Sequence, residues 1–185
     1  MAKDDKESEI KTLEEHHYYM FHQDFNNESS SNAIKFIIER NLMKTPPKNM
    51  KIIFNSPGGE LPAAFSLIDI IKGSKVPVYT YGIGEISSCG LLAFISGKKG
   101  HRYITENTSI LSHQFSWFSI GKEHELMAVK KEIVHTSKRI TDHYIKCTGL
   151  SEKEVKKYLL PPEDVWLSAK EAVKYGIADE IVEFY

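Results

Sequence analysis

Two short apolar runs, "MKIIFN" (50–55) and "KVPVYTYGI" (75–83), are each followed by small residues and then by apolar residues at helical spacing. Runs this short, rich in Val, Ile, Tyr and Phe, read as buried strands. Behind the first, Leu61, Phe65, Leu67, Ile68 and Ile71 predict a helix near 60–72, closed by Gly73. Behind the second, "SCGLLAFIS" predicts a buried helix of about two turns. Before them come a strand-like "HYYMFHQ" (17–23), the turn and cap residues of "NNESSSN", and a helix near 30–42 carried by Ala33, Phe36, Ile37, Ile38 and Leu42. Strands that alternate with helices in this way make an α/β fold.

The second half continues the alternation. "HRYIT" and "TSILSH" read as two strands around "ENT", and "SWFSIG" as an aromatic, irregular stretch. A long helix is expected over 123–147, with Leu126, Met127, Ile133, Val134, Ile140 and Ile145 on a broad apolar face. Two further helices carry capping-box signatures, Ser151 with Glu154 and Ser168 with Glu171, the second stopped by Gly176. "IADEIVEF" ends the chain as a strand.

A chain of 185 residues, 41% hydrophobic and 26% charged, has the make-up of one soluble globular domain. The domain is expected over 18–185, after a short polar segment over 1–17. A net charge of -1 gives no reason to expect nucleic acid or an acidic membrane as partner. Cys89 and Cys147 make no disulfide framework, "MAKDDKESEIKTLEE" has no apolar core of a secretory signal, and no apolar run approaches the ~20 residues of a membrane helix. The expected location is the cytoplasm.

The stretch "GEISSCG" (84–90) puts two serines where a strand hands over to a helix. A serine hydroxyl is a weak nucleophile that needs a base, usually His, oriented by a carboxylate, and N–H donors where the oxyanion develops. Ser88 is the candidate nucleophile, with the N–H of Cys89 behind it and Gly90 allowing close backbone approach. The plainer alternative is a serine helix cap. Ser87 is a rival that lacks the glycine two residues on. "NSPGG" (55–59) exposes N–H groups after a strand, so Gly58 and above all Gly59 are candidate oxyanion and substrate-binding groups, or simply a turn.

His113 at the end of "SILSHQF" is the candidate base, and Asp164 in "PPEDVWLSAKEA", expected in a loop before a helix, the candidate carboxylate. No Cys/His cluster has metal-ligand spacing, and "HELMA" lacks the second His of a zinc motif, so no metal is expected. The order Ser, His, Asp along the chain differs from that of the chymotrypsin, subtilisin and α/β-hydrolase triads.

From about residue 18 to 183 the chain resembles the Clp protease proteolytic-subunit family, the ClpP-type serine peptidases. The likeness rests on "FNSPGGELPAAFSLIDII", "YGIGEISSCGLLAFISGKKGHRYITENTSILSHQ", the long helix ending in "CTGLS", "EDVWLSAKEAVKYGIADEIV" and the opening aromatic strand, in that order. It implies Ser88 as nucleophile, His113 as base, Asp164 as carboxylate, and Gly59 with the N–H of Cys89 as oxyanion donors.

The resemblance further implies a ClpP/crotonase-like spiral of ββα units with a handle over about 114–148, built from the long helix and the strand before it. Two stacked homo-oligomeric rings of seven would enclose the active sites. A partner AAA+ unfoldase would use ATP to feed in unfolded proteins, and this subunit itself would need no cofactor. The chain departs from the family pattern in its short acidic N-terminal segment, in "HQF" for "HQP", in "SWFSIG" for a glycine-rich handle strand, and in Glu163 where many members have arginine. The competing readings are a catalytically silent ring subunit and a crotonase-type acyl-CoA enzyme, which would use the same two-donor hole without needing Ser88.

Overall fold

The computed structural model describes residues 12–183, so most of the polar segment read over 1–17 lies outside the described residues. Seven strands alternate with six helices among them. They are β1 (Tyr18–Phe21), α1 (Asn27–Leu42), β2 (Met50–Ser56), α2 (Leu61–Gly73), β3 (Val78–Ser87), α3 (Cys89–Phe94) and β4 (Arg102–Ile104), then β5 (Ser109–Ser112), α4 (Glu123–Thr148), α5 (Glu152–Tyr158), β6 (Val165–Leu167), α6 (Ala169–Lys174) and β7 (Glu180–Ile181). The strands β1-β2-β3-β4-β7 run parallel in that order, so the α/β class expected from the sequence is what the chain forms.

One strand organises the site. β3 is ten residues long and has two successive partners on the same edge. Its first half pairs with β4, from Thr80 with Arg102 to Gly82 with Ile104. Its second half pairs with β5, from Glu85 with Ser109 to Ser87 with Leu111. Between them the strand bends at Gly84, whose φ of +59° favours glycine, while β2 breaks register between Phe54 and Ser56. Asn55 holds the bend: its Oδ1 accepts the Glu85 N–H at 3.1 Å and its Nδ2 donates to His22 Nε2 at 2.9 Å. The sequence placed the end of this strand at residue 83. It runs on to Ser87 because β5 supplies hydrogen-bond partners to Glu85–Ser87.

The core lies between this sheet and α1, α2 and α3. Phe21, Phe25 and Phe54 cluster there, the first two stacked with centroids 4.3 Å apart, beside Leu67, Ile86 and Leu91. The Ser151–Glu154 and Ser168–Glu171 boxes are present as expected, and within "NNESSSN" Asn26 caps α1 together with Ser29, so that helix starts at Asn27, ahead of the expected residue 30.

Two expectations need correction. Asp164 does not lead directly into a helix. It precedes β6, a three-residue strand that pairs antiparallel with β5 and was not legible as a strand. The handle has its helix, α4, but residues 113–122 carry no regular secondary structure. A strand needs a hydrogen-bonding neighbour, and among the described residues no strand pairs with this segment. The apolar face of α4 is also buried over only half its length. Ile140 and Tyr144 are in the core, whereas Leu126, Met127 and Val134 are exposed.

A buried ion pair closes the far edge. The Arg102 guanidinium, 1% exposed, meets Asp179 through Nη2–Oδ1 at 2.6 Å and Nε–Oδ2 at 2.9 Å, and donates to the Cys147 carbonyl at 3.0 Å. Asp179 Oδ2 also accepts the N–H groups of Gly100 and Arg102. Partial burial alone would raise the Asp179 pKa, but Arg102 and these N–H groups outweigh it and hold the carboxyl below its usual range. A lowered carboxylate pKa means stability that is complete above the unfolded value and lost as pH falls through the folded one. Asp179→Asn is therefore expected to cost on the order of 3 kcal/mol, because it leaves a buried guanidinium without its counter-charge. Denaturant titrations over an acid series should show that loss at neutral pH, with the gap to the parent chain narrowing as pH drops below the carboxylate range.

Candidate active site

Ser88 follows the last residue of β3 and has φ +54° and ψ −120°, a conformation few residues other than glycine adopt. Such a backbone costs about 1–3 kcal/mol and persists where its surroundings over-determine it. Here the Ser88 N–H donates to the Leu111 carbonyl on β5 at 3.0 Å, and the Ser88 carbonyl accepts from Leu92 N–H at 3.1 Å. A Cβ on Gly58 would lie 2.7 Å from Ser88 Cβ, and one on Gly90 would lie 2.7 Å from the Ser56 carbonyl oxygen. Both glycines are required for the loop after β2 to pack against the start of α3.

The two plainer readings of "SSCG" lose ground here. Ser88 occupies the cap position of α3, yet its side chain makes no capping hydrogen bond. Ser87 is 1% exposed and its hydroxyl donates to Glu85 Oε1 at 2.7 Å, so it is committed inside the protein.

The other site residues arrive by strand register. β5 and β6 pair Ile110 with Leu167, Leu111 with Trp166 and Ser112 with Val165. His113 directly follows and Asp164 directly precedes the last pair of that ladder. Ser87 in turn pairs with Leu111. Ser88, His113 and Asp164 thus leave the same end of three neighbouring strands. Ser112 pins that end, because its hydroxyl donates to the Leu159 carbonyl at 2.5 Å and accepts from the Tyr144 hydroxyl at 2.7 Å.

A cavity of about 350 Å³ opens over Ser88, lined among others by Gly59, Cys89, His113, Phe115, Trp117 and Tyr144. Ser88, His113, Gly59 and Cys89 therefore share one space. Asp164 is exposed and lies outside this lining, and among the described residues no hydrogen bond links Ser88, His113 and Asp164. Gly58 differs from its expected part: it is buried and its N–H donates to Ser56 Oγ at 3.2 Å, so it serves the turn. The Cys89 thiol is pushed up to about 11 by burial, against smaller opposing pulls from the Gly59 backbone and the Ser88 side chain. It stays protonated at neutral pH.

His143 was passed over in the sequence as one of several histidines on the long helix. It is 4% exposed and bridges three helices. Its Nδ1 accepts from Lys72 Nζ at 2.7 Å, so its Nε2 carries the proton donated to the Leu92 carbonyl on α3 at 2.8 Å. Burial, with help from the Lys72 charge, lowers its pKa to about 4 and keeps the ring neutral. The available signal was its helical spacing from Ile140 and its place beside Tyr144, which put it on the buried face.

The sequence profile of the Clp protease family matches residues 4–184. Among curated proteins, the chain is 32% identical over 142 residues to the ATP-dependent Clp protease proteolytic subunit 2 of Chlamydia trachomatis, covering 76% of this chain and 68% of the relative. The same figures hold for proteolytic subunit 2 of Chlamydia muridarum and proteolytic subunit 1 of Chlamydia felis. With a profile match over nearly its whole length and relatives at this level of identity, the chain belongs to the Clp protease family.

Proposed function

We propose that Ser88, His113 and Asp164 are the nucleophile, base and orienting carboxylate of this serine-type endopeptidase, the proteolytic subunit of a Clp protease. The observation that supports the assignment is the register of β3, β5 and β6: Ser88 follows β3, His113 follows β5 and Asp164 precedes β6 at the same end of three neighbouring strands. Ser88 Oγ attacks the scissile carbonyl while His113 takes its proton, and the N–H groups of Gly59 and Cys89 receive the oxyanion. His113 then protonates the leaving amine, and a water activated the same way releases the acyl group. Asp164 holds the imidazole in the productive tautomer. The mainly apolar cavity wall of Leu92, Phe115, Trp117 and Ile140 suits an apolar side chain next to the cleaved bond.

The assembly we propose is homo-oligomeric, with rings of seven stacked in pairs and fed with unfolded protein by an AAA+ unfoldase that uses ATP. We place it in the cytoplasm, and no described helix is long and apolar enough to cross a membrane. Phe118 is 89% and Ile120 88% exposed, and Trp117, Met127 and Val134 are exposed as well, apolar side chains that a second ring would cover. Glu163 brings a negative charge to the segment where arginine would pair across the ring contact. Docking then rests on aromatic packing more than on ion pairs.

Ser88→Ala should lower peptide hydrolysis by roughly 10⁴-fold or more, while Ser87→Ala keeps most of it. Equal losses in the two variants would remove Ser88 from the role. A crotonase-type enzyme or a silent subunit would show no Ser88-dependent hydrolysis at all. For the assembly, Trp117→Gly combined with Phe118→Gly should shift double rings toward single rings in sedimentation velocity. Double rings unchanged across a wide salt range would show that these aromatics do not hold the rings together.

A further inference from the structure

The loop that carries Gly59 is tied down unevenly. On one side it is held by the backbone of Phe25, whose N–H donates to the Gly58 carbonyl at 2.7 Å and whose carbonyl accepts the Glu60 N–H at 2.8 Å. Gly59 sits between these two bonds with φ +139°, and a Cβ there would lie 2.3 Å from the Phe25 carbonyl oxygen. The other side of the loop faces α3, the helix that begins just after Ser88. Among the described residues, one hydrogen bond crosses from the turn at 57–60 to that helix: Cys89 Sγ to the Gly59 carbonyl, at 3.2 Å.

From this link we infer that Cys89 is a positioning residue: its thiol sets the Gly59 peptide relative to Ser88. The inference rests on the peptidase reading above. An oxyanion hole made from two separate segments works only if their spacing is fixed, because each donor must lie about 2.7–3.1 Å from the developing charge and the site must hold to roughly 0.5 Å. Cys89 belongs to both halves. Its own N–H is one proposed donor, and its side chain grips the peptide that carries the other. The thiol is well suited to this role. It is 1% exposed, so the S–H itself is shielded from water, and burial keeps it protonated, so it has a hydrogen to donate. An S–H is a weak donor, so the grip is modest and a stronger donor could replace it.

The test compares the parent chain with Cys89→Ala, Cys89→Val and Cys89→Ser, all as the purified full chain. Valine refills the space without a donor, and serine restores a donor in a smaller group. The measurements are kcat and KM on a short fluorogenic apolar peptide, the affinity of a peptidyl boronate that becomes tetrahedral on the serine, and thermal midpoints. Alanine and valine should each lower kcat about tenfold, an order-of-magnitude figure below that for outright loss of a donor. Both should weaken the boronate by a similar factor with KM nearly unchanged, and serine should stay within about threefold of the parent.

A purely structural cysteine gives a different pattern: lower thermal midpoints for alanine, recovery with valine, and parent-like kcat and boronate affinity in both. That pattern overturns the inference, and so does a serine variant as slow as alanine. Fluorophosphonate labelling of the parent chain, mapped to the residue, separates the two levels of the account. Labelling at Ser88 with unchanged kcat in the Cys89 variants defeats this inference alone, whereas a parent chain unlabelled at Ser88 defeats the peptidase reading and this inference with it.

Discussion

The bend in β3 is the constraint on which the rest of the structure depends. A straight strand of ten residues would keep one neighbour along one edge. This strand changes neighbour at Gly84, leaving β4 and meeting β5, because positive φ there and the register break in β2 turn it out of the first part of the sheet. Asn55 stabilises the turn from inside by accepting the Glu85 N–H. Everything at the site follows from where the bent strand ends. Its last pair sets Ser87 against Leu111, the next residue is forced into the conformation of Ser88, and β6 completes the row through β5.

Strain and packing at Ser88 are two sides of one arrangement. A positive φ at serine is unfavourable by itself, and it survives because β5 holds the Ser88 N–H, Leu92 holds its carbonyl, and the loop after β2 leaves no room to relax. The loop can come that close only because Gly58 and Gly90 lack side chains. Stability to support such a site comes from elsewhere: from the phenylalanine cluster around Phe21, Phe25 and Phe54, and from the Arg102–Asp179 pair that joins β4, the end of α4 and the start of β7. The neutral His143, wedged between Lys72 and the Leu92 carbonyl, ties α3, which begins just after Ser88, to both α4 and α2.

Much of this was legible in the sequence where local chemistry decides structure. The capping boxes at Ser151 and Ser168 fell where the spacing put them, because a cap is satisfied within four residues. The strands over β1, β2 and the first half of β3 showed as apolar runs. What failed to show was set by partners far along the chain. β6 is three residues long and became visible only beside β5. Residues 84–87 of β3 look like a turn until β5 pairs with the last three. Residues 114–122 are irregular, as "SWFSIG" read on its own, and the strand that the family likeness implied there is missing because one chain offers it no strand to pair with, just as it leaves half of the apolar face of α4 exposed. The candidate site residues were named from motifs, but their common edge came from register, which motifs do not contain. The roles of Asn55, His143 and the Cys89 side chain depend on contacts 30 or more residues away.

The central claim is geometric: the bent β3, β5 and the loop after β2 bring a strained Ser88, His113 and the proposed oxyanion donors Gly59 and Cys89 around one cavity. A crystal structure of the full chain after reaction with a fluorophosphonate tests it most directly. The account predicts phosphorus bonded to Ser88 Oγ, His113 beside it, and a phosphoryl oxygen about 2.7–3.1 Å from the N–H groups of Gly59 and Cys89. An adduct on Ser87, or one on Ser88 whose phosphoryl oxygen turns away from those two N–H groups, would contradict it.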